Sequence, residues 1–151
     1  MRIEIRRAVP TDSQRATELA RSAKSHWGYP SEWLEAWDAD LKITSDDIER
    51  HRTFVASVDD EVVGICQLQE SEQHAFLEHV WVDPKRHRQG IGRALVQHAR
   101  ASAPGVLTVV ADPHAEEFYL RLGARRIGEV AAPMPGAPDR KLPLLELEAG
   151  G

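Results

Sequence analysis

Residues 78–100 read EHVWVDPKRHRQGIGRALVQHAR, and they predict a strand, a basic loop and a helix in succession. β-branched and aromatic residues favour a strand up to Val82, and Pro84 ends it because proline has no backbone N–H to give to a ladder. From Ile91 onward the apolar residues recur at the spacing of one helix face. The segment therefore indicates a chain in which strands and helices alternate.

The loop inside this segment, residues 85–93, has no acidic residue and four fixed positive charges: Lys85, Arg86, Arg88 and Arg93. Gly90 and Gly92 allow the backbone to come close to a ligand. The N–H groups and the dipole at the start of the following helix both favour an anion. The loop predicts a phosphate-binding cradle; the alternative is an ordinary tight turn on a basic surface.

The composition is that of a globular protein with a single domain over residues 1–151, since 42% of the residues are hydrophobic and 28% are charged. No apolar run approaches the length of a membrane span, and the start of the chain has no signal-peptide core. We therefore expect a cytoplasmic protein without a membrane partner. Cys66 is the single cysteine and lies in an apolar strand pattern, which predicts a buried thiol rather than a nucleophile.

The net charge of −5 places the basic loop on an otherwise acidic chain. A nucleic-acid-binding protein spreads positive charge over a face, so we expect no nucleic-acid partner and one small anionic ligand instead. No cluster of His, Cys, Asp and Glu has the spacing of metal ligands, and no P-loop or dinucleotide-binding glycine motif is present. Metal, ATP and NAD are therefore not expected.

The remaining periodicities place further elements on both sides of this segment. The predicted strands cover residues 2–8, 54–58, 62–69, 74–82, 106–111, 124–130 and 142–147, and the predicted helices begin near Thr11, Ser31, Ser45, Ile91 and Asp112. Gln73 belongs to a predicted turn, and Pro104 to a predicted helix end. The almost wholly apolar strand at 106–111 predicts a central strand covered on both faces, parallel to the strand before it. Pro143 predicts that the last strand lies at a sheet edge.

Two segments together carry a resemblance to a known family. Residues 80–95, VWVDPKRHRQGIGRAL, resemble the pattern V-x-V-x-P followed by [Q/R]-x-x-G-x-[G/A], and residues 112–124, DPHAEEFYLRLGA, are similar to N-x-x-A-x-x-F-Y-x-x-x-G-F. Both patterns are typical of the GNAT superfamily of acetyl-CoA-dependent N-acetyltransferases. The order of elements along the chain also resembles that family.

The resemblance implies an α/β fold of three layers, in which helices flank a splayed central mixed sheet of about six or seven strands. It places acetyl-CoA in the splay, with no metal, and the backbone of Val80, Trp81 and Val82 beside the acetyl group and the pantetheine arm. Asp112 would lie near the pantetheine. The residues implied to hold the pyrophosphate are His87, Arg88, Gln89, Gly90, Ile91, Gly92 and Arg93.

Three residues depart from the family pattern. His87 replaces the usual Gln or Arg at the first position of the loop motif, where binding uses mainly backbone N–H groups. Asp112 replaces Asn, which removes two side-chain donors but keeps a helix cap. Leu107 lies where the ribosomal-protein N-terminal acetyltransferases carry a glutamate base, and this speaks against that branch.

The implied activity is acetyl transfer to a primary amine of a small molecule or a peptide, by direct aminolysis of the thioester. An alkylammonium titrates near ~10.4 and a thiol near ~8.5, so the reaction needs a proton acceptor for the amine and benefits from a donor for the sulfur. Tyr119 matches the tyrosine that protonates the thiolate. Glu78 is the candidate base, predicted by alternation to share a face with Val80 and Val82 while His79 points to the opposite face. A water relay to a more distant carboxylate is the alternative.

The acceptor is expected to bind opposite CoA, near the first two helices. Trp27 and Tyr29 flank a glycine in a connection and are the candidate acceptor-binding residues, whereas the helical spacing of Trp33 and Trp37 predicts core positions. The proline-rich loop at 133–138 either closes the site or only connects two strands. An exposed last strand could pair with a second copy to form a homodimer. A CoA-binding module that serves as a sensor or subunit, without turnover, is the alternative function.

Overall fold

The computed structural model describes residues 1–72, 74–103 and 105–148. The strands in these ranges are β1 Glu4–Arg7, β2 Arg52–Val58, β3 Glu61–Glu70, β4 Ala75–Val82, β5 Val106–Val110, β6 Arg125–Ala131 and β7 Lys141–Glu148. The α-helices are α1 Ser13–Ser25, α2 Ser31–Leu41, α3 Ser45–Arg50, α4 Ile91–Ser102 and α5 Glu116–Arg121. Every predicted strand and helix is present, while Gln73 and Pro104 lie outside the described residues.

The seven strands form one mixed sheet in the order β1-β2-β3-β4-β5-β7-β6. All neighbouring strands are antiparallel except β4 and β5, which are parallel and are connected through α4. Among the described residues, Ala75–Leu107 and Phe76–Thr108 are the pairs that join β4 to β5, and both lie at the strand starts. Beyond them the two strands separate, so a gap opens in the middle of the sheet.

Helices cover both faces of the half-sheet formed by β1 to β4. On one face α4 buries Leu95 in a cluster with Cys66, and on the other α1 buries Leu19 against Val55 and Ile65. Each of these apolar side chains contributes roughly 1.5–3 kcal/mol on burial. The two clusters hold β4 and the start of α4 in place, and these two elements border the gap.

Strand β5 lies inside the sheet as predicted, but only one of its faces is fully covered. Leu107 and Val109 are buried, whereas Val106 and Val110 are 42% and 43% exposed. The prediction that both faces are covered is wrong, because the helices on this side, α1 and α3, pack mainly on β2, β3 and β4. The sheet therefore keeps an open apolar face beside the gap.

The prediction that the last strand lies at an edge is also wrong, since β7 pairs with both β5 and β6 and the edge strand is β6. Pro143 is tolerated inside the sheet because its backbone points towards β5 just beyond the last β5–β7 pair, Val110–Leu144. There its carbonyl accepts from the Ala111 N–H at 3.0 Å. The N–H that proline lacks would have faced the Ala111 carbonyl, which lies beyond the end of β5, so no bond within the β5–β7 pairing is lost.

Within the described residues, no helix has the length and apolar character needed to cross a membrane.

Candidate active site

A cleft of about 830 Å³ occupies the gap between β4 and β5. Its lining comes from the end of α1 (Ala23, His26, Trp27), from β4 (Leu77, Glu78, Val80, Trp81, Val82), from the loop and α4 (Arg86, His87, Arg88, Gly90, Ile91, Gly92, Arg93) and from β5 onward (Val109, Val110, Ala111, Asp112, His114, Ala115, Glu117, Phe118, Tyr119, Arg121). The structure therefore brings the predicted site residues into one space, except Gln89 and Tyr29, which do not line it.

The two glycines of the basic loop (residues 85–93) are required for different reasons. Gly90 has a φ of +83°, in the left-handed region that other residues rarely adopt. A Cβ at Gly92 would lie 3.2 Å from Cζ of Phe118, so its absence lets α4 pack closely against α5. Gly90 thus turns the chain into the helix, and Gly92 brings the two helices together.

The backbone N–H groups of residues 88–93 have no hydrogen-bond acceptor among the described residues. On either side the N–H groups are paired: that of Arg86 donates to the Asp83 carbonyl at 2.8 Å, and that of Ala94 to the Gly90 carbonyl at 3.0 Å. Unpaired donors at a helix N-terminus, together with the positive end of its dipole, can hold a phosphate group. The loop therefore has the properties of an anion cradle.

The cations of the basic loop are also free of internal partners. In the described parts of the chain, no ion pair involves Lys85, Arg86, Arg88 or Arg93. The neighbouring carboxylate, Asp83, instead lies 3.5 Å from Arg15 and accepts from the Lys85 backbone N–H at 3.0 Å. The positive charge thus remains available to a polyanionic ligand.

The end of β4 presents backbone groups to the cleft. The Asp83 N–H donates to the Val63 carbonyl on β3 at 2.8 Å. Because successive residues of a strand direct their N–H and C=O groups to opposite sides, Val80 and Val82 direct theirs away from β3. β5 has already separated from β4 at this point, so these groups can bond a ligand.

A β-bulge corrects the position predicted for Glu78. The register leaves Glu78 unpaired between the pairs Gln67–His79 and Leu68–Leu77. The extra residue resets the alternation, so that Leu77 and Val80 pack in the same core cluster. The prediction that Glu78 shares a face with Val80 and Val82 is therefore wrong. Glu78 lies on the opposite face of the sheet, the face on which Val106 and Val110 of β5 are exposed. Glu78 itself is exposed there.

The bulge places His79 on the same face as Glu78, not on the opposite face as predicted. His79 is engaged there, because the Trp81 indole N–H donates to its Nδ1 at 2.9 Å. Burial lowers the pKa of His79 to about 4, so the ring is neutral at physiological pH. His79 does not line the cleft, and Glu78 is the titratable side chain of β4 that does.

Two buried groups in the middle of the molecule keep their protons, and one of them lines the cleft. Tyr119 on α5 is 5% exposed and lines the cleft, and burial raises the pKa of its hydroxyl above the ordinary value. Cys66 is fully buried, and burial raises the pKa of its thiol to about 12. The prediction of a buried cysteine is confirmed.

Asp112, at the end of β5, connects that strand to α1 and caps the following turn as predicted. Its carboxylate accepts from Lys24 Nζ at 2.7 Å, from the Tyr29 hydroxyl at 2.8 Å and from the His114 backbone N–H at 2.9 Å. Burial alone would raise the pKa of Asp112, but the bonds from Lys24 and His114 lower it to about 2. Burial and the Asp112 charge raise the pKa of Tyr29 to about 12, so its hydroxyl remains a donor.

Trp27 forms an aromatic bridge over one side of the cleft. Its ring stacks on His114 with centroids 4.7 Å apart, and the His87 ring of the basic loop lies 6.1 Å away on a nearly parallel plane. The Trp27 side chain is still 40% exposed. It therefore joins α1 to the basic loop while presenting part of its face to a ligand.

A second group of side chains, the aromatic–cation cluster, lies beside the cleft and consists of Lys24, Tyr29, Trp33, Trp37 and Arg140. The Arg140 guanidinium lies 5.2 to 5.8 Å from the centroids of its three aromatic rings, and Lys24 Nζ lies 4.3 Å from that of Trp37. The predicted core position is confirmed in part for Trp37, which is partly buried and packs against the core cluster that contains Leu19 and Ile65. It is wrong for Trp33, which is half-buried and belongs to neither described core cluster. Both rings also lie against cations.

The proline-rich loop packs on this cluster. The Trp33 indole N–H donates to the Pro135 carbonyl at 2.9 Å, and a short bridge joins Met134 to Ala137. The loop is thus anchored to α2 and forms one wall of the region in which the acceptor was expected to bind.

A model of the acetyltransferase (GNAT) family matches residues 15–124. The chain belongs to this family. Peptidyl-lysine N-acetyltransferase YjaB of Salmonella typhimurium is 31% identical over 97% of this chain and 98% of its own length. The apo solution structure of YjaB from Escherichia coli is 26% identical with a TM-score of 0.70, covering 100% of this chain and 99% of that chain.

The fold of PaiA N-acetyltransferase from Thermoplasma acidophilum, determined in complex with coenzyme A, is similar as well. Its TM-score is 0.76 at 18% identity, covering 98% of this chain and 99% of that chain. The splayed mixed sheet is thus the GNAT fold, and this GNAT protein is an acetyl-CoA-dependent acyltransferase. Its cations at residues 85–93 and the N–H groups of residues 88–93, which have no acceptor among the described residues, fit the charge and donor requirements of the pyrophosphate of CoA.

Two residues that shape this GNAT cleft escaped the sequence analysis. Lys24 lies within α1 and pairs with Asp112, which is 88 positions further along the chain, and Arg140 follows the proline-rich loop. Neither belongs to a motif. The one available signal was that α1 carries Lys24 between the buried Ala23 and the aromatic connection at 26–29. No described group of three or more His, Cys, Asp and Glu side chains could hold a metal.

Proposed function

We propose that this protein transfers an acetyl group from acetyl-CoA to the primary amine of a lysine side chain in a peptide or protein. The observation that carries the proposal is that one continuous cleft contains the basic loop, Glu78 and Tyr119. A lysyl acceptor is supported by the 31% identical relative that is named a peptidyl-lysine N-acetyltransferase. A small-molecule amine is the alternative acceptor.

In this proposal residues 1–151 form one domain, and acetyl-CoA supplies the acetyl group as a thioester. The backbone N–H groups of residues 88–93 hold the pyrophosphate, and Arg88 and Arg93 neutralise its charge. The Val80 N–H bonds the acetyl carbonyl and stabilises the charge that develops on its oxygen. Val82 bonds the pantetheine arm, and Asp112, whose oxygens are already engaged, fixes the end of β5 beside it.

The reaction is a direct displacement at the carbonyl carbon. The amine nitrogen forms the new C–N bond, the C–S bond breaks, and the nitrogen gives its proton to the Glu78 carboxylate directly or through one water. Tyr119 keeps its proton until the sulfur departs and then donates to it. The bulge supports this role for Glu78, because it directs the carboxylate to the open face from which an acceptor can enter.

The test is the steady-state rate of CoA release with a lysine-containing peptide, for the wild type and for Glu78→Gln and Tyr119→Phe. General acid–base groups contribute about 10²- to 10⁴-fold, so we expect Glu78→Gln to lower kcat by at least about a hundredfold. Tyr119→Phe should lower it by about tenfold or more. The acetyl-CoA dissociation constant should stay within about threefold in both.

Glu49→Gln removes an equally exposed carboxylate on α3 and serves as the matched control with unchanged rates. An unchanged kcat in Glu78→Gln would remove its assigned role and favour a water relay to another carboxylate. Failure of the wild type to acetylate any lysyl peptide would overturn the acceptor assignment.

A further inference from the structure

A second cavity, of about 270 Å³, lies beside the main cleft where the open face of the sheet meets α1 and α2. Lys24 and Arg140 both line it, together with Trp37 and the proline-rich loop residues Pro133 and Met134. Since two cations and no carboxylate line this small space, its chemistry favours an anionic group.

The hydrogen bonds of Arg140 are incomplete. Its Nη1 donates to the Ala132 carbonyl at 3.3 Å, and the guanidinium lies close enough to the Tyr29 hydroxyl to oppose the rise of its pKa. Its Nη2 is buried and has no partner of hydrogen-bonding geometry among the described residues. The great majority of buried polar atoms in folded proteins are paired, so an unpaired nitrogen on a charged group points to a ligand acceptor. The planar guanidinium carries parallel donors that match the two oxygens of a carboxylate.

Of the two cations in the aromatic–cation cluster, Lys24 is paired with a carboxylate and Arg140 has no such pair among the described residues. Asp112 neutralises Lys24, with 2.7 Å between the carboxylate oxygen and Nζ. In the ranges that the structure covers, Arg140 forms no ion pair. The three ring faces around it attract the cation but carry no net charge. The cluster therefore carries one positive charge that no described carboxylate pairs with.

The position of Arg140 is fixed by the hairpin that carries it. Its carbonyl accepts from the Ala132 N–H at 2.9 Å, and the Trp33–Pro135 bond holds the loop to α2. The guanidinium is thus ordered before a ligand arrives, which favours recognition over a mobile surface contact.

We propose that Arg140 binds a carboxylate of the acceptor and so selects lysines that have a negative charge close by. This inference rests on the proposed function and deepens it. The carboxylate comes from an Asp or Glu near the lysine in a peptide, or from the carboxylate of free lysine. In both cases the acceptor spans from Glu78 in the cleft to Arg140 in the second cavity.

The test compares kcat/KM for acceptors that differ only in charge. Three peptides with blocked ends contain one lysine flanked by glutamate, glutamine or arginine, and free lysine is compared with lysinamide. We expect the wild type to prefer the glutamate peptide over the glutamine peptide, or free lysine over lysinamide, by at least about tenfold in kcat/KM. The difference should lie mainly in KM, and its size is that expected of one charge-assisted hydrogen bond. Arg140→Gln should abolish the preference and leave the rate on the glutamine peptide within about threefold.

Lys141→Gln removes the neighbouring exposed charge and should keep the preference. Preference for the glutamate peptide identifies a side-chain carboxylate as the ligand, and preference for free lysine over lysinamide identifies the carboxylate of the amino acid.

If Arg140→Gln does not fold, Arg140→Lys retains the charge without the two parallel donors of the guanidinium, and the preference should fall by at least about threefold. The inference is overturned if the wild type shows no preference, prefers the arginine peptide, or keeps its preference in the Arg140 variant. Turnover without preference overturns this inference alone, whereas no turnover on any lysyl acceptor overturns the proposed function as well.

Discussion

Within the described residues, the cations of the basic loop and the N–H groups of residues 88–93 have no internal partners, whereas both cations of the aromatic–cation cluster lie against aromatic rings and one of them, Lys24, also bonds Asp112. The loop consists of nine consecutive residues, 85–93, which lead directly into α4. The cluster joins two segments that are far apart in sequence, the α1–α2 region and the β6–β7 hairpin, and Asp112 at the end of β5 bonds to it.

This difference separates binding from stability. Groups without internal partners contribute to the complex but little to the fold, so their removal should weaken ligand binding alone. Groups that pair with each other contribute to both, because removing one leaves the other without a partner. The two regions should therefore respond differently to substitution, in ways that can be measured on the protein without an acceptor.

The largest expected effect concerns the loop. The double variant Arg88→Gln, Arg93→Gln should raise the acetyl-CoA dissociation constant by about a hundredfold, since each change removes a charged contact worth about 1.5 kcal/mol. Isothermal titration calorimetry measures the affinity, and urea denaturation should show the free energy of unfolding unchanged within about 0.5 kcal/mol. If the free energy of unfolding fell by more than the free energy of acetyl-CoA binding, the loop would contribute to the fold and its assignment as a binding region alone would be wrong.

A smaller effect, of the opposite kind, is expected at Asp112. Asp112→Ala leaves Lys24 and the Tyr29 hydroxyl without their acceptor, and should lower the free energy of unfolding by about 2 kcal/mol, after allowing for partial solvent screening. Asp112→Asn keeps the helix cap and should lose about half as much. Urea denaturation of the three proteins at pH 7 provides the comparison, and equal stability of Asp112→Ala and the wild type would show that the network is not structural.

The smallest effect concerns His79, beside Glu78 in the bulge. Its pKa is about 4 in the folded protein, below the ~6.5 of a free histidine, so the unfolded chain binds the proton more readily between these values. Stability should therefore fall as the pH falls from 7 to 5.5, by about 1 kcal/mol from this group. His79→Gln, whose side-chain oxygen can still accept from Trp81, should show a shallower decline by that amount. Identical pH profiles of unfolding would contradict the burial of a neutral ring.

The loop could be predicted from sequence because its chemistry is local. The two glycines, the four cations and the following helix lie within one short motif, and the resemblance to GNAT proteins extends to Tyr119 and the end of β5. The strands and helices could also be predicted from sequence, because each has a local apolar periodicity, and every one of them is found in the structure.

What sequence could not show depends on contacts between distant segments. Strict alternation misplaced Glu78, because a single unpaired residue in β4 becomes visible only from its register with β3. Helical spacing predicted a core position that Trp33 does not occupy, and it could not show that Lys24 faces Trp37 and that Arg140 faces Trp33. The apolar run of β5 likewise could not reveal that one of its faces stays open.

The measurement that tests the account most directly is the stoichiometry of acetyl transfer by the wild type. Acetyl-CoA and a blocked peptide with one lysine are incubated with the protein, while free thiol and peptide mass are followed together. The account predicts CoA release that requires the peptide, with one acetyl group on the lysine for each CoA released. Tight acetyl-CoA binding without peptide-dependent release, over the whole set of lysyl peptides, would contradict it.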